Sequence, residues 1–128
     1  MADPKLIKLV GTLFRKTLDG SLKWKKTSED SVFSVSFSSY SVQLSLRSEW
    51  NDSTDDIDEH YRLRILDGDG EVVEEIAPYT FESNTFTVPA YEIFKVMFES
   101  ARRNAMGLNA AVDSILKELD PLTDDIPF

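Results

Sequence analysis

Residues 32–47 read VFSVSFSSYSVQLSLR. Phe33, Val35 and Phe37 alternate with Ser34, Ser36 and Ser38. After a tight turn, Tyr40, Val42, Leu44 and Leu46 alternate with Ser41, Gln43, Ser45 and Arg47. Successive side chains of a strand point to opposite faces, so this period of two describes an antiparallel pair with one face on a core and the other in water. Phe33, Phe37 and Tyr40 fall in phase with their apolar neighbours and are expected in that core.

Working outward, a short extended stretch, Leu22–Lys26, precedes the pair and carries Trp24. After it comes a polar loop, NDSTDDIDEH at 51–60, and then Tyr61, Leu63 and Ile65 resume the alternation. Asp67-Gly68-Asp69-Gly70 supplies a hairpin turn into Val72, Val73 and Ile76. Tyr79–Val88 is a weaker candidate for a further strand. Upstream, Asp3-Pro4 has the form of a helix cap followed by proline at the first helical position. Leu6, Leu9, Val10, Leu13 and Phe14 recur at helical spacing until Asp19-Gly20, so residues 4–17 are expected to form an amphipathic helix.

Downstream, Pro89 opens a second helical pattern. Tyr91, Phe94, Phe98, Ala101, Ala105, Leu108, Val112, Ile115 and Leu119 are separated by alternating steps of three and four. That 3.5-residue repeat suits a seam against another helix or a sheet. Unbroken, residues 89–119 would span roughly 45 Å at 1.5 Å per residue. Two outcomes are open: a break at Gly107, or a projecting helix that pairs with a second subunit as a homodimer through 91–119. Pro121 is expected to end the helix. The fold class expected is α+β: a helix, an antiparallel sheet of five or six strands, and a long C-terminal helix. The boundaries expected are a single domain over 1–119 and an acidic tail over 120–128.

The 128 residues carry a net charge of −9, distributed unevenly. Residues 1–26 hold Lys5, Lys8, Arg15, Lys16, Lys23, Lys25 and Lys26 against Asp3 and Asp19, a net of +5; the rest sums to −14. Absence of cysteine excludes a disulfide framework and thiolate metal sites, and fits a reducing cytoplasm. The opening MADPKLIKLV lacks the apolar run of a secretory signal, and no stretch approaches a membrane span. A cytoplasmic protein without membrane contact is expected.

Few residues suggest chemistry. Asp52, Asp55, Asp56, Asp58, Glu59 and His60 are rich in oxygen ligands but lack calcium-loop spacing, and read as a solvated acidic segment. Placing Asp69-Gly70 at the fifth and sixth positions of a calcium loop puts Ile65 first and Ile76 twelfth, and neither can ligate. His60, the one histidine, has no marked nucleophile beside it. No phosphate-cradling glycine loop, GxSxG or HExxH occurs. Neither an enzyme nor a cofactor is indicated. Lys16, Lys23, Lys25 and Lys26 lie near Trp24, and Trp50 is a further aromatic. Aromatic platforms beside a basic groove are how single strands are held, which makes these six residues candidate nucleic-acid contacts.

The last five residues are the most specific. Asp124-Asp125-Ile126-Pro127-Phe128 resembles the C-terminal tip of bacterial single-stranded-DNA-binding proteins. In that family the tip is a docking peptide for replication, recombination and repair enzymes. Thr123 stands where the family usually has another aspartate. The resemblance implies that these five residues dock onto proteins that recognise the tip. It covers only the tail, because that family has an OB-fold that begins with strands. The pattern Leu9, Leu13-Phe14, Thr17, Gly20, Leu22 and Trp24 is loosely similar to a family of small bacterial proteins and supplies no function. Three readings follow. One is a non-enzymatic adaptor or modulator of DNA metabolism that uses the DDIPF tip. The others are a single-stranded-DNA-binding protein on a non-OB body, and an acidic immunity or inhibitor protein facing a basic partner.

Overall fold

The computed structural model describes residues 3–123, with side chains for residues 3–119. Helix α1, Pro4–Leu18, starts as its residues require: the Lys5 backbone N–H donates to Asp3 Oδ1 at 2.8 Å, and Pro4 fills the first turn, where a missing N–H costs nothing. It ends at Asp19 and Gly20, whose φ of 81° favours glycine. Strands β1 (Lys25–Lys26), β2 (Val32–Ser36), β3 (Ser41–Asn51), β4 (Asp56–Leu66) and β5 (Val72–Ile76) form one antiparallel sheet in chain order. The β4–β5 turn is tied by Asp67, whose Oδ1 accepts the N–H groups of Asp69 and Glu71 at 2.9 and 3.0 Å.

The register explains the core. Phe33 lies opposite Leu44, Leu44 opposite Leu63, and Leu63 opposite Ile76, so one apolar row crosses four strands. Val35, Val42 and Ile65 form the next row. Helix α2, Ala90–Ala105, lays Ile93, Phe94, Met97, Phe98 and Ala101 over these rows, and α1 adds Val10 and Leu13. The opposite sheet face carries Ser34, Gln43, Ser45, Arg62 and Arg64 and has no helix on it. The expected helix, half-wet antiparallel sheet and C-terminal helical segment are therefore present.

Several details differ from expectation. The polar stretch 51–60 is mostly strand: β3 and β4 stay paired out to Asn51 and Asp56, and only residues 52–55 turn. Backbone ladders need no apolar side chains, and beyond the helices this ribbon has no core to cover, so its sequence loses the alternation. Phe37 and Tyr40 are not core residues; both are about half exposed. They close the β2–β3 hairpin, with Phe37 N–H donating to the Tyr40 carbonyl at 2.8 Å, past the last row that α1 and α2 cover. Among the described residues the sheet has five strands. Tyr79–Val88 instead forms a 3₁₀ turn at Pro78–Thr80 followed by irregular chain. Phe81 pins that chain to the helix layer through Phe86 and Phe94, with ring centroids 5.2 and 6.4 Å apart.

The C-terminal pattern breaks. Helix α2 closes at Met106, Gly107 takes φ 70°, and α3 runs Leu108–Thr123. A β-carbon is strained in that left-handed conformation and glycine has none, so the seven-residue pattern continues while the direction changes. Pro121 lies within α3 and does not precede its end. Proline in a helix interior loses a hydrogen bond and crowds the preceding turn at a cost of about 3 kcal/mol, which disfavours the helix without forbidding it. The helix therefore passes the 119/120 boundary expected between domain and tail.

Tyr61 illustrates the density of the core. Its ring meets Tyr91 edge-on at 5.4 Å and Phe98 at 5.7 Å. Burial, aided by the charge of Glu59, pushes its phenol from the ordinary 10.0 up to about 12. Unfolding returns the group to its ordinary value, so the unfolded chain ionises first. The stability this group confers is intact below pH 10 and is lost as pH rises towards about 12. Alkaline unfolding followed by circular dichroism should shift in Tyr61→Phe; an identical transition in both proteins would refute the assignment.

Candidate functional site

Lys25 and Lys26 sit on the edge strand β1, exposed, opposite Ser34 and Phe33. Trp24 is only 3% exposed. Its indole N–H donates to Thr17 Oγ1 at 3.0 Å, and its backbone N–H to Asn104 Oδ1 at 2.8 Å. With its ring buried against α1 and α2, Trp24 has no face on which a base could stack, which corrects its place among the candidate contacts. Trp50 is 59% exposed but lies on the β3–β4 ribbon, paired with Ile57, its indole donating to Asp52 at 2.9 Å. Leu44, not Trp50, occupies the row of Phe33 and Lys26, which leaves Trp50 roughly 20 Å further along the strand. The structure thus separates the two tryptophans from each other and Trp50 from the lysines.

The acidic stretch is likewise divided. Asp56 and Asp58 share one face of β4 while Glu59 points to the other, as strand geometry demands. Among the described residues, no group of three or more histidines and carboxylates is placed to hold a metal ion. Among the described residues, no helix is long and apolar enough to cross a membrane.

Two of the concave surfaces among the described residues gather basic side chains. The first is a groove on the open sheet face, formed by Ser45, Arg47, Glu49, His60, Arg62, Arg64 and Glu75. Glu75 bridges Arg62 and Arg64 at 3.3 and 3.2 Å, and Glu49 pairs with Arg47 and lies 3.6 Å from His60. The Arg62 guanidinium also lies over the Tyr79 ring, 5.2 Å from its centroid. Each guanidinium already faces a carboxylate, so the groove presents little free positive charge. Sequence reading did not single out these arginines. They lie on adjacent strands at positions of one phase, which only the register reveals.

The second is a cleft of ≈ 280 Å³ where α1 ends and α2 turns into α3. Leu18, Gly20, Arg103, Gly107 and Leu108 are among its walls. Leu18 and Leu108 are exposed there. Lys23 Nζ reaches the Gly20 carbonyl at 3.3 Å, placing its charge at the rim. Lys16 stands in the last turn of α1. Hydrogen bonds from the Ser21 hydroxyl and N–H, helped by Lys16, hold the Asp19 carboxyl below its ordinary 3.8. Arg103 makes no ion pair among the described residues. Of the six candidate contacts, Lys23 therefore lies at the rim of this concavity, with Arg103 in its wall. The Arg102-Arg103 pair just ahead of Met106-Gly107 was a legible signal for this basic corner.

Asp124, Asp125, Ile126, Pro127 and Phe128 lie outside the described residues. Helix α3 leads towards them with Leu108, Val112, Ile115 and Leu116 exposed along its length. The fold is an α+β module with two helices on one face of a five-stranded antiparallel meander. Compared with protein-family models, curated proteins and solved structures, the chain matches none.

Proposed function

We propose that this chain is a non-enzymatic adaptor or modulator of DNA metabolism, acting in the cytoplasm through Asp124–Phe128. The observation that carries the reading is the sequence DDIPF. Its chemistry suits docking. A Phe128 ring placed in a pocket contributes about 1.5–3 kcal/mol. A C-terminal carboxylate can be held by an arginine in the same pocket. Pro127 limits the conformational freedom lost on binding. Asp124 and Asp125 suit a basic rim. Support from the fold is that α3, which precedes this segment in the chain, has exposed apolar residues.

The test is displacement. A labelled tip peptide of a bacterial single-stranded-DNA-binding protein is bound to a repair enzyme that recognises it, and the intact chain is titrated in. Displacement is expected, and deleting Phe128 should weaken it by about tenfold or more, the value of one buried aromatic anchor. Equal behaviour of the intact and shortened chains, or no displacement by either, would overturn the proposal.

A further inference from the structure

We infer that the outward face of helix α1 is a docking surface for the phosphate backbone of double-stranded DNA, with Lys5, Lys8, Arg15 and Lys16 as its contacts. That the polyanion is DNA rests on the reading of Asp124–Phe128 as a tip for DNA metabolism. The cationic face itself is independent of the tip.

Helix α1 contains four cations and no acidic residue. At 3.6 residues per turn, Lys5, Lys8, Arg15 and Lys16 fall within an arc of about 100° and along roughly 17 Å of the axis. All four are exposed, while Val10, Leu13 and Thr17 are buried on the other side of the helix. Amphipathic division explains why this face is polar, but not why it has a single sign. Local physics favours the opposite choice at two positions. Lys5 stands in the first turn, where the helix dipole disfavours a cation, and Lys8 is its neighbour of like charge three residues on.

These charges are also uncompensated. Every ion pair among the described residues lies on the open sheet face, where Glu49 faces Arg47 and His60, and Glu75 faces Arg62 and Arg64. Asp3 and Asp19, at the two ends of α1, already accept hydrogen bonds from the Lys5 N–H and from Ser21. Arg15 is steadied by Thr12 Oγ1 at 3.4 Å, not by a carboxylate. Residues 27–89 hold 3 basic and 14 acidic residues, a net of −11, so this acidic chain keeps a helix of one sign apart from the bulk of its negative charge.

A row of like charges fits a polyanion whose own charges repeat. Duplex DNA presents one roughly every 1.7 Å of its axis, and contact with its phosphates needs no access to the bases. A single strand is held by exposed rings beside the basic groove. Here Trp24 is buried and Phe14 is packed against the core. A lipid surface would need apolar residues free to insert, but Leu6, Ile7 and Leu9 are already packed against the core.

The experiment titrates the full chain into a fluorescent duplex and follows anisotropy between about 50 and 200 mM salt. Binding is expected, with a log–log salt slope of about −3.6 for four neutralised phosphates, a loss of about a hundredfold across that range. Lys5→Gln, Lys8→Gln and Arg15→Gln should each weaken binding and make the slope shallower by about 0.9. Arg47→Gln removes the same charge from the open sheet face, where Glu49 already holds it, and should change neither quantity. All three α1 side chains are exposed, and if one variant misfolds the other two decide. Absence of binding at the lowest salt, a slope that the α1 substitutions leave unchanged, or an equal effect of Arg47→Gln overturns the inference. So does tighter binding to a single strand of the same length, or to phosphatidylglycerol vesicles, than to the duplex. Neither a repair enzyme nor a tip peptide takes part, so this assay and the displacement assay can fail independently.

Discussion

Trp24→Ala is expected to lower the free energy of unfolding by about 3–5 kcal/mol, a large part of the roughly 5–15 kcal/mol that holds a domain together. Trp24 is where the ends of three elements meet. Its ring is buried, its indole N–H is held by Thr17 of α1, and its backbone N–H is held by Asn104 of α2, just before β1 begins. Removing the ring leaves a cavity and an unpaired Thr17 hydroxyl. Trp24→Phe separates the two terms, because it fills much of the space and costs chiefly the lost hydrogen bond, about 1–3 kcal/mol. Trp50→Ala is the control. That side chain stands on the exposed ribbon, so its removal should change stability by within about 0.5 kcal/mol. Urea unfolding followed by circular dichroism measures all three. If the two tryptophan-to-alanine variants lose similar stability, the placement of Trp24 is wrong.

A loss of similar size, about 3–5 kcal/mol, is expected for Phe94→Ala. Phe94 is fully buried on the inner face of α2 and touches Phe81, which in turn meets Phe86 edge-on. This aromatic chain is what fastens the irregular crossing from β5 to α2, since that segment adds no strand to the sheet. The variant should therefore do more than lose global stability. Amide hydrogen exchange over residues 78–88 should accelerate more than exchange in β3 and β4, which keep their ladder bonds. Uniform acceleration along the chain would show that Phe81 and Phe86 hold their places without Phe94.

The two variants probe parts of the structure that were unequally legible. Phe94 belongs to a helical repeat readable from Tyr91 to Leu119, and its burial follows from that periodicity. Trp24 sits in a short segment between a helix and a two-residue strand, where no period extends far enough to assign a face. Its neighbours Lys23, Lys25 and Lys26 made it look like part of a wet, basic surface. The partners that bury it are 7 and 80 residues away in the chain, and proximity of that kind leaves no local trace. Phe37 and Tyr40 show the opposite error. Their alternation is sound, but it carries past the end of β2 into a turn that no helix covers.

The candidate sites follow the same division. The DDIPF segment is readable because a docking peptide keeps its chemistry in consecutive residues. The corner cleft is not, because Leu18, Lys23, Arg103 and Leu108 come from separate elements and meet only once Gly107 turns α3 away from α2.

What the sequence by itself determined is whatever depends on neighbours within about four residues: the cap at Asp3, the alternation from Val32 to Arg47, the Asp67–Gly70 turn and the helical repeats. Strand pleat and helix pitch are local geometry, and hydrophobic period reports them directly. Only the tertiary structure decided where each repeat meets its cover. It extended β3 and β4 beyond the core, withheld a sixth strand, bent the last helix at Gly107 and buried Trp24. Those outcomes are set by burial against distant residues and by one glycine's left-handed backbone. A single chain's local pattern encodes neither the distance between elements nor which of two allowed backbone paths leaves less apolar surface in water.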